Sequence, residues 1–220
     1  MIEALIVSKT HMLSNACVGG ILRNGRFVRL LDGNGRNQPS NTDIEIGDVY
    51  TITFRDRQDK RPPHVEDILI DSMKYEYSLS SQDMVECLIH DLKVNIWKGS
   101  TERLFNGTLQ WTRGGSGFVS ESGAIPENSV GFWIPDKDLT RKDFNDKVRY
   151  SYPIRYRDIS FVGFQNPVDK IPAGTLVRVS LARWWSPNEE EKRCYLQLSG
   201  WYGMREQENL SDSDNDDFQF

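Results

Sequence analysis

Between Gly174 and Tyr202 the chain reads GTLVRVSLARWWSPNEEEKRCYLQLSGWY, in which Arg178, Arg193, Tyr195 and Trp201, with Trp184 nearby, recur among aliphatic residues. An arginine offers a phosphate a planar fork of donors, and an aromatic ring offers an unstacked base a flat surface to rest on. Interleaving the two types points to contact with nucleic acid. A second basic group, Arg23, Arg26 and Arg29, falls within seven residues and encloses Phe27, with Lys9 upstream and Arg36 downstream. A third candidate, Arg113, precedes the run Gly114-Gly115-Ser116-Gly117 and is flanked by Trp111 and Phe118, as a strand-grasping loop would be. Each group also has a plainer reading: aromatics are strand formers first, arginines solubilise turns, and a Gly-Gly-Ser-Gly run connects a hairpin.

Other chemistry finds less support. His64, Glu66, Asp67 and Asp71 are the densest set of metal-ligating types, but an exposed polar strand face accounts for them equally well. Neither Gly-x-Ser-x-Gly nor Gly-Lys-Ser/Thr occurs, and His11, His64 and His90 are too scattered to define an acid–base pair. Pro135-Asp136 and Glu190-Glu191-Lys192 do not form a nuclease core, because the second piece falls in a hairpin tip. The expectation is a chain with no catalytic residue, no metal and no cofactor.

These residues need rigid strands to hold them. Val177, Val179 and Leu181 alternate with Arg178 and Ser180, and Cys194, Leu196 and Leu198 alternate with Arg193, Tyr195 and Gln197. Period two predicts two half-buried strands, with Ser186-Pro187-Asn188 and the following charges as the turn. The aliphatic set then faces a core, leaving Arg178, Arg193 and Trp201 as the outer candidates. Upstream, Ile2 to Val7 reads as a buried strand, and Asn24-Gly25 between two apolar runs, residues 16–22 and 26–31, is a strong hairpin signal. Gly19-Gly20 within a strand predicts a bulge or a close backbone approach. With runs at 44–54 and 64–71, five short strands in about seventy residues predict a small closed barrel. Residues 80–92 predict a helix capped by Ser80 or Ser81, with Met84, Leu88 and Leu92 as its apolar stripe. Asn106-Gly107 predicts a further hairpin, and residues 139–144 a helical turn.

Bulk properties fit one large or two small domains of 220 residues. No apolar run is long enough to span a membrane, so a cytoplasmic protein is expected. Cys17, Cys87 and Cys194 are dispersed and read as small buried hydrophobes. The net charge of -5 owes much to Asp212, Asp214, Asp216 and Asp217, without which 28 acids face 27 bases. A nucleic-acid site on so neutral a body must be a local patch.

The series Val7-Ser8-Lys9-Thr10, Cys17-Val18-Gly19-Gly20, Val28-Arg29-Leu30-Leu31, Asn37-Gln38-Pro39, Ile46-Gly47-Asp48-Val49 and Pro62-Pro63-His64-Val65-Glu66-Asp67 resembles the first half of bacterial dual OB domain-containing proteins. Gly131-Phe132-Trp133, Pro135-Asp136, Ile171-Pro172-Ala173-Gly174-Thr175 and Leu198-Ser199-Gly200-Trp201-Tyr202 are similar to the second half, so the resemblance runs from about Ile2 to Tyr202. It implies a mainly β chain of two tandem OB-like barrels with a short connecting helix, and by analogy nucleic-acid binding in a bacterial antiviral defence or conflict setting. The expected division is a first barrel at 1–78, a connecting helix and linker at 79–100, a second barrel at 101–205 and an acidic tail at 206–220. An OB barrel presents its second and third strands to its ligand. In the first barrel these carry Arg23, Arg26 and Arg29, with Lys9 in the preceding loop. The second offers Arg113, Arg178, Arg193, Tyr195 and Trp201.

The tail Leu210 to Phe220 is acidic and ends Asp216-Asp217-Phe218-Gln219-Phe220. It is similar to the phenylalanine-ended tip of bacterial single-stranded-DNA-binding proteins, which implies a protein partner or a decoy folding back on the chain's own basic face. A solubilising end is the plainer alternative. The expected function is thus a non-catalytic nucleic-acid-binding module beside a separate effector; the alternative is a protein–protein adaptor that uses the barrels and the tail.

Overall fold

A computed structural model describes residues 1–92, 94–186 and 191–203. The first six strands are β1 (Ile2–Met12), β2 (Asn15–Leu22), β3 (Phe27–Leu31), β4 (Gln38–Pro39), β5 (Asp48–Asp56) and β6 (Asp67–Ser78). They run in the order β1-β5-β6-β3-β2-β4, and pairing of β1 with β2 closes five of them into a barrel. Only β3 and β6 are parallel, which is the OB arrangement of strands. The Asn24-Gly25 turn forms as expected, with Gly25 at φ 79 and its N–H donating to the Leu22 carbonyl at 2.9 Å. Ala4, Ile6, Val18, Leu22, Val28, Leu30, Ile52 and Ile68 fill the interior.

The predicted irregularity at Gly19-Gly20 lies across from them, on β1. Ile6 pairs with Gly20 and Ser8 with Gly19, so Val7 is the extra residue of a bulge. A bulge re-aims every side chain beyond it. Ser8 and Thr10 therefore turn to the outside of the barrel, while Lys9 turns to the interior side.

Ser80 caps helix α1 (Ser81–Glu86), its hydroxyl accepting from the Asp83 N–H at 3.1 Å, and a wider π turn over Cys87–Asp91 continues it. Met84 and Leu88 are buried. They meet Leu5, Val7, Ile21 and Val49 from the outside of the first barrel and Phe132, Leu176 and Tyr202 from the second half of the chain. This apolar seam joins the two halves. The Tyr202 hydroxyl donates to the Val7 carbonyl across it, and the end of β1 exchanges bonds with the other half: His11 N–H to Val162 O at 2.9 Å, and Phe164 N–H to Lys9 O at 3.1 Å.

The second half adds β7 (Ile96–Gly99), β8 (Gln110–Trp111), β9 (Gly117–Ser120), β10 (Val130–Pro135), β11 (Leu139–Arg141), β12 (Arg149–Tyr152), β13 (Arg157–Phe161), β14 (Lys170–Ile171), β15 (Leu176–Leu181) and β16 (Arg193–Tyr202). The sheet order is β14-β11-β12-β13-β16-β15-β10-β7. β10 and β11 follow each other with only three residues between them, so they act as one strand bent after Pro135. β10 pairs with β15 and β11 with β12, and the sheet comes round on itself with β13 parallel to β16. The strand order of the first barrel is thereby repeated. β7, inside the stretch expected as linker, adds a parallel edge strand to β10.

Three expectations fail here. Asn106-Gly107 does not turn a hairpin: Thr101–Gly107 coils in 3₁₀ turns with Phe105 and Asn106 both at positive φ, which lets Leu104 and Phe105 plug the second core. Residues 139–141 form a strand rather than a helical turn, because they are the second half of the bent strand. Trp201, expected on the outside, is 6 % exposed and packs against Tyr150 and Phe161 with ring centroids 5.7 and 5.1 Å away. Val177, Val179, Leu181, Leu196 and Leu198 fill the core as expected.

Candidate nucleic-acid interface

The outside of β2 and β3, where a single OB barrel meets its ligand, is covered in this chain. Ile21 and Phe27 point outward there and are taken up by the seam, Phe27 lying 6.0 Å from the Phe132 ring. The basic residues predicted around that face are correspondingly engaged. Lys9, 5 % exposed, bonds Glu45 at 2.6 Å and the Thr42 carbonyl at 2.9 Å, because the bulge turned it inward. Arg29 is largely buried in an ion pair with Asp67. Arg26 pairs with Asp56, whose carboxyl is held down at about 2 by hydrogen bonds from Arg26 and Lys60. Arg23 stays exposed but bonds Glu3 at 2.6 Å. Four predicted contacts thus have carboxylate partners within the barrel. Arg178, expected on the outside, differs in its placement: it leaves the core as period two requires, yet the surface it reaches is the inner side of the seam, where it is 5 % exposed.

The corresponding face of the second barrel, β12 and β13, is not taken up by the seam: Arg149, Ser151 and Ser160 are half-buried on it, while Asp158, 8 % exposed, pairs with Lys142 at 2.8 Å. On β12, Tyr150 and Tyr152 turn into the core while Arg149 and Ser151 alternate outward. Arg149 pairs with Ser160 at one end of the face. Its guanidinium lies over the Phe144 ring, 5.5 Å from the centroid, and Phe144 is 56 % exposed. A tight turn holds that ring out: Phe144 and Lys147 exchange both backbone bonds, with Asn145 and Asp146 at φ 48 and 57, the left-handed pair that a two-residue hairpin demands.

At the other end, where Tyr152 pairs with Arg157, three elements converge. The Arg157 guanidinium stacks on Trp111 of β8 at 3.9 Å. Arg113 is exposed in the loop from β8 to β9, which is pressed onto the β12–β13 turn; a side chain at Gly115, φ 85, would overlap the Tyr156 carbonyl. Tyr156 beside it is almost fully exposed. β16 runs parallel to β13, so its first residues lie toward this same end. They carry a ladder of rings: Trp185, 57 % exposed, stands 6.1 Å from Tyr195, and Tyr195 stands 5.9 Å from Phe118, over which the Arg193 guanidinium sits at 4.5 Å. Reciprocal backbone bonds between Trp185 and Arg193, at 3.0 and 2.8 Å, fix the rung.

Of the predicted residues, the fold brings Arg113, Arg193 and Tyr195 to this face. It adds Phe144, Arg149, Arg157 and Trp185, which sequence reasoning missed. The signals were present in part: Arg149 alternates with two tyrosines, and Asn145-Asp146 is a turn pair. Trp184, considered beside Trp185, instead donates to the Pro62 carbonyl at 2.8 Å and lies under Arg61. The tail residues Asp216, Asp217, Phe218 and Phe220 lie outside the described residues. Among the described residues no three His, Cys, Asp or Glu side chains gather as a metal site, and no helix is long and apolar enough to cross a membrane.

Of this row of rings, Trp185 is exposed and Tyr195 half-buried while Phe118 beneath Arg193 is 6 % exposed, so the first two rings could take an unstacked base with Arg193 near its phosphate. The family model of the dual OB-containing domain matches residues 2–201. No curated protein matches the chain.

Proposed function

The chain belongs to the dual OB-containing domain family, and from that premise we propose that it is a non-catalytic nucleic-acid-binding module that holds single strands on the outer face of its second barrel. The row Trp185–Tyr195–Phe118 with Arg193 over it carries this reading, because it sets an exposed ring and a half-buried one beside a guanidinium, the pairing that base stacking with a phosphate contact uses. Single strands rather than duplex follow from the chemistry: base faces are available for stacking only when unpaired. Phosphates would meet Arg113, Arg149, Arg157 and Arg193. We extend the proposal to a recognition component that works with a separate effector in the bacterial defence setting implied by the resemblance, built from the units 1–78, 79–100 and 101–205.

The test is a titration of a fluorescent oligothymidylate with the full chain. Affinity should fall as salt rises, since counterions are released from each contacted phosphate. Replacing Arg149, Trp185 and Arg193 together with alanine should weaken binding by about tenfold or more, one stacked base alone being worth ~1–3 kcal/mol. The pair Arg23→Ala and Arg26→Ala should leave it nearly unchanged. No binding at low salt, or equal losses from the two sets of variants, would overturn the assignment.

A further inference from the structure

The seam between the barrels is not apolar throughout. Beside its hydrophobic part lies a cavity of about 170 Å³, walled on one side by Ser8, Cys17, Arg29 and His64 of the first barrel and on the other by Arg178 and Ser180 of the second. Several features single it out as built for a guest. Arg178 is 5 % exposed; Glu66 across the cavity attracts its guanidinium, but no carboxylate among the described residues lies within ion-pair distance and its Nε has no hydrogen-bond partner. A buried guanidinium without an acceptor is costly, and proteins keep such charges paired. Room for it was made deliberately on the facing strand: a Cβ on Gly19 would stand 2.8 Å from the Arg178 Nη2 and 2.5 Å from the Ser8 hydroxyl. The bulge at Val7 is what turns Ser8 and Thr10 toward this space.

Its charge is also unbalanced. Asp67 is the single carboxylate shared by Arg29, Arg57 and Arg183, with Arg183 at 3.1 Å and Arg57 at 3.5 Å. Glu66, 4 % exposed, is held by the Ser129 N–H at 2.6 Å and hydroxyl at 2.8 Å. Arg57 is also held by Asp59, at 2.8 and 3.2 Å, so four guanidiniums meet three carboxylates in and beside this space and one positive charge is left over. His64 faces the Leu181 and Ala182 carbonyls through Nε2 at 3.2 and 3.1 Å, which requires a proton on that nitrogen and leaves Nδ1 as an unpartnered acceptor. An anion with several acceptor oxygens and one acidic hydroxyl would satisfy the guanidiniums, Ser8 and His64 at once.

We propose that this cavity is a phosphate-binding site, taking inorganic phosphate or the terminal phosphate of a small ester or a nucleic-acid end. Size limits the rest of the ligand: a cavity of roughly 150 Å³ holds one six-membered ring, so a phosphate and a few attached atoms fit and a whole nucleotide does not. The inference stands apart from the outer face of the second barrel, and either can fail without the other.

Cys17 lines the cavity and Cys87 does not, which supplies a reporter and its control in one chain. Alkylation of both by iodoacetamide is followed by peptide mass spectrometry, with matched chloride as the ionic-strength blank. Millimolar inorganic phosphate should slow Cys17 labelling, leave Cys87 unchanged and raise the melting temperature. Arg178→Met should weaken the protection by about tenfold or more; should that variant not fold, the wild-type labelling decides alone. Two further arms locate the source. Stronger protection by a 5′-phosphorylated oligothymidylate than by its 5′-hydroxyl counterpart assigns the site to nucleic-acid ends, and protection by inorganic phosphate alone assigns it to the free ion. If neither inorganic phosphate nor the phosphorylated oligonucleotide alters Cys17 labelling or melting beyond the chloride blank, the proposal is wrong.

Discussion

His64 is 4 % exposed and sits among Arg29, Asp67 and two backbone carbonyls, and its burial holds its pKa below the ordinary 6.5. A histidine kept neutral in the folded state contributes stability above the unfolded value, and that contribution is lost as pH falls through the lower folded one. Glu66 works in the opposite sense: burial raises its carboxyl above 4.5 against the Ser129 hydrogen bonds, so its contribution is present below 4.5 and lost as pH rises through the raised value. Denaturant midpoints measured across acid pH should therefore separate the two. His64→Gln, which can still donate to the carbonyls, should flatten the fall in stability below pH 6.5, and Glu66→Gln should remove the opposing rise. A His64→Gln variant that kept the full wild-type slope would show that another group titrates. Neither role was legible in the sequence, where the two residues read as an exposed strand face; what buries them lies in the second barrel, 63 residues away for Glu66 and 117 for His64.

At the scale of elements, periodicity read well and coverage did not. The alternation of Val177, Val179 and Leu181 with Arg178 and Ser180 predicted which side of β15 meets the core, and the structure agrees. It could not say what lies over the other side, so Arg178 was expected in solvent. A hint existed in β1, where Ala4 to Val7 are apolar without alternation, the mark of a strand buried on both faces. Asn-Gly illustrates a second limit: the pair at 24–25 turns a hairpin, while the pair at 106–107 ends a 3₁₀ coil, because Phe105 anchors that segment in the second core. Trp201 was misread for a related reason, since alternation breaks at the irregularity between Arg178 and Val179 opposite Gly200 and Leu198. Trp201→Ala should cost about 3–5 kcal/mol, as removing a buried tryptophan does, measurable by urea denaturation. A loss under 1 kcal/mol would mean that the ring is not a core residue.

For the whole molecule, the decisive feature is the seam. It uses the outward residues Leu5, Val7, Ile21 and Phe27 of one barrel, the helix residues Met84 and Leu88, and Phe132, Leu176 and Tyr202 of the other. Apolar area of this kind makes one cooperative body rather than two beads on a string. The barrels are then unequal partners: the outside of β2 and β3 in the first is taken up by the seam, whereas among the described residues the outside of β12 and β13 in the second is not.

That inequality sets a length. Two tethered, independent barrels would engage a strand as a bivalent ligand, gaining from the high effective concentration of the second site once the first is filled. With one face sealed, the chain should behave as monovalent, occluding about 4–16 nucleotides, the span of a single barrel. Affinity for a series of oligothymidylates should climb with length up to that footprint and then level off apart from the statistical gain of extra registers. A second steep rise near twice that length would mean that the barrels part to admit a strand between them.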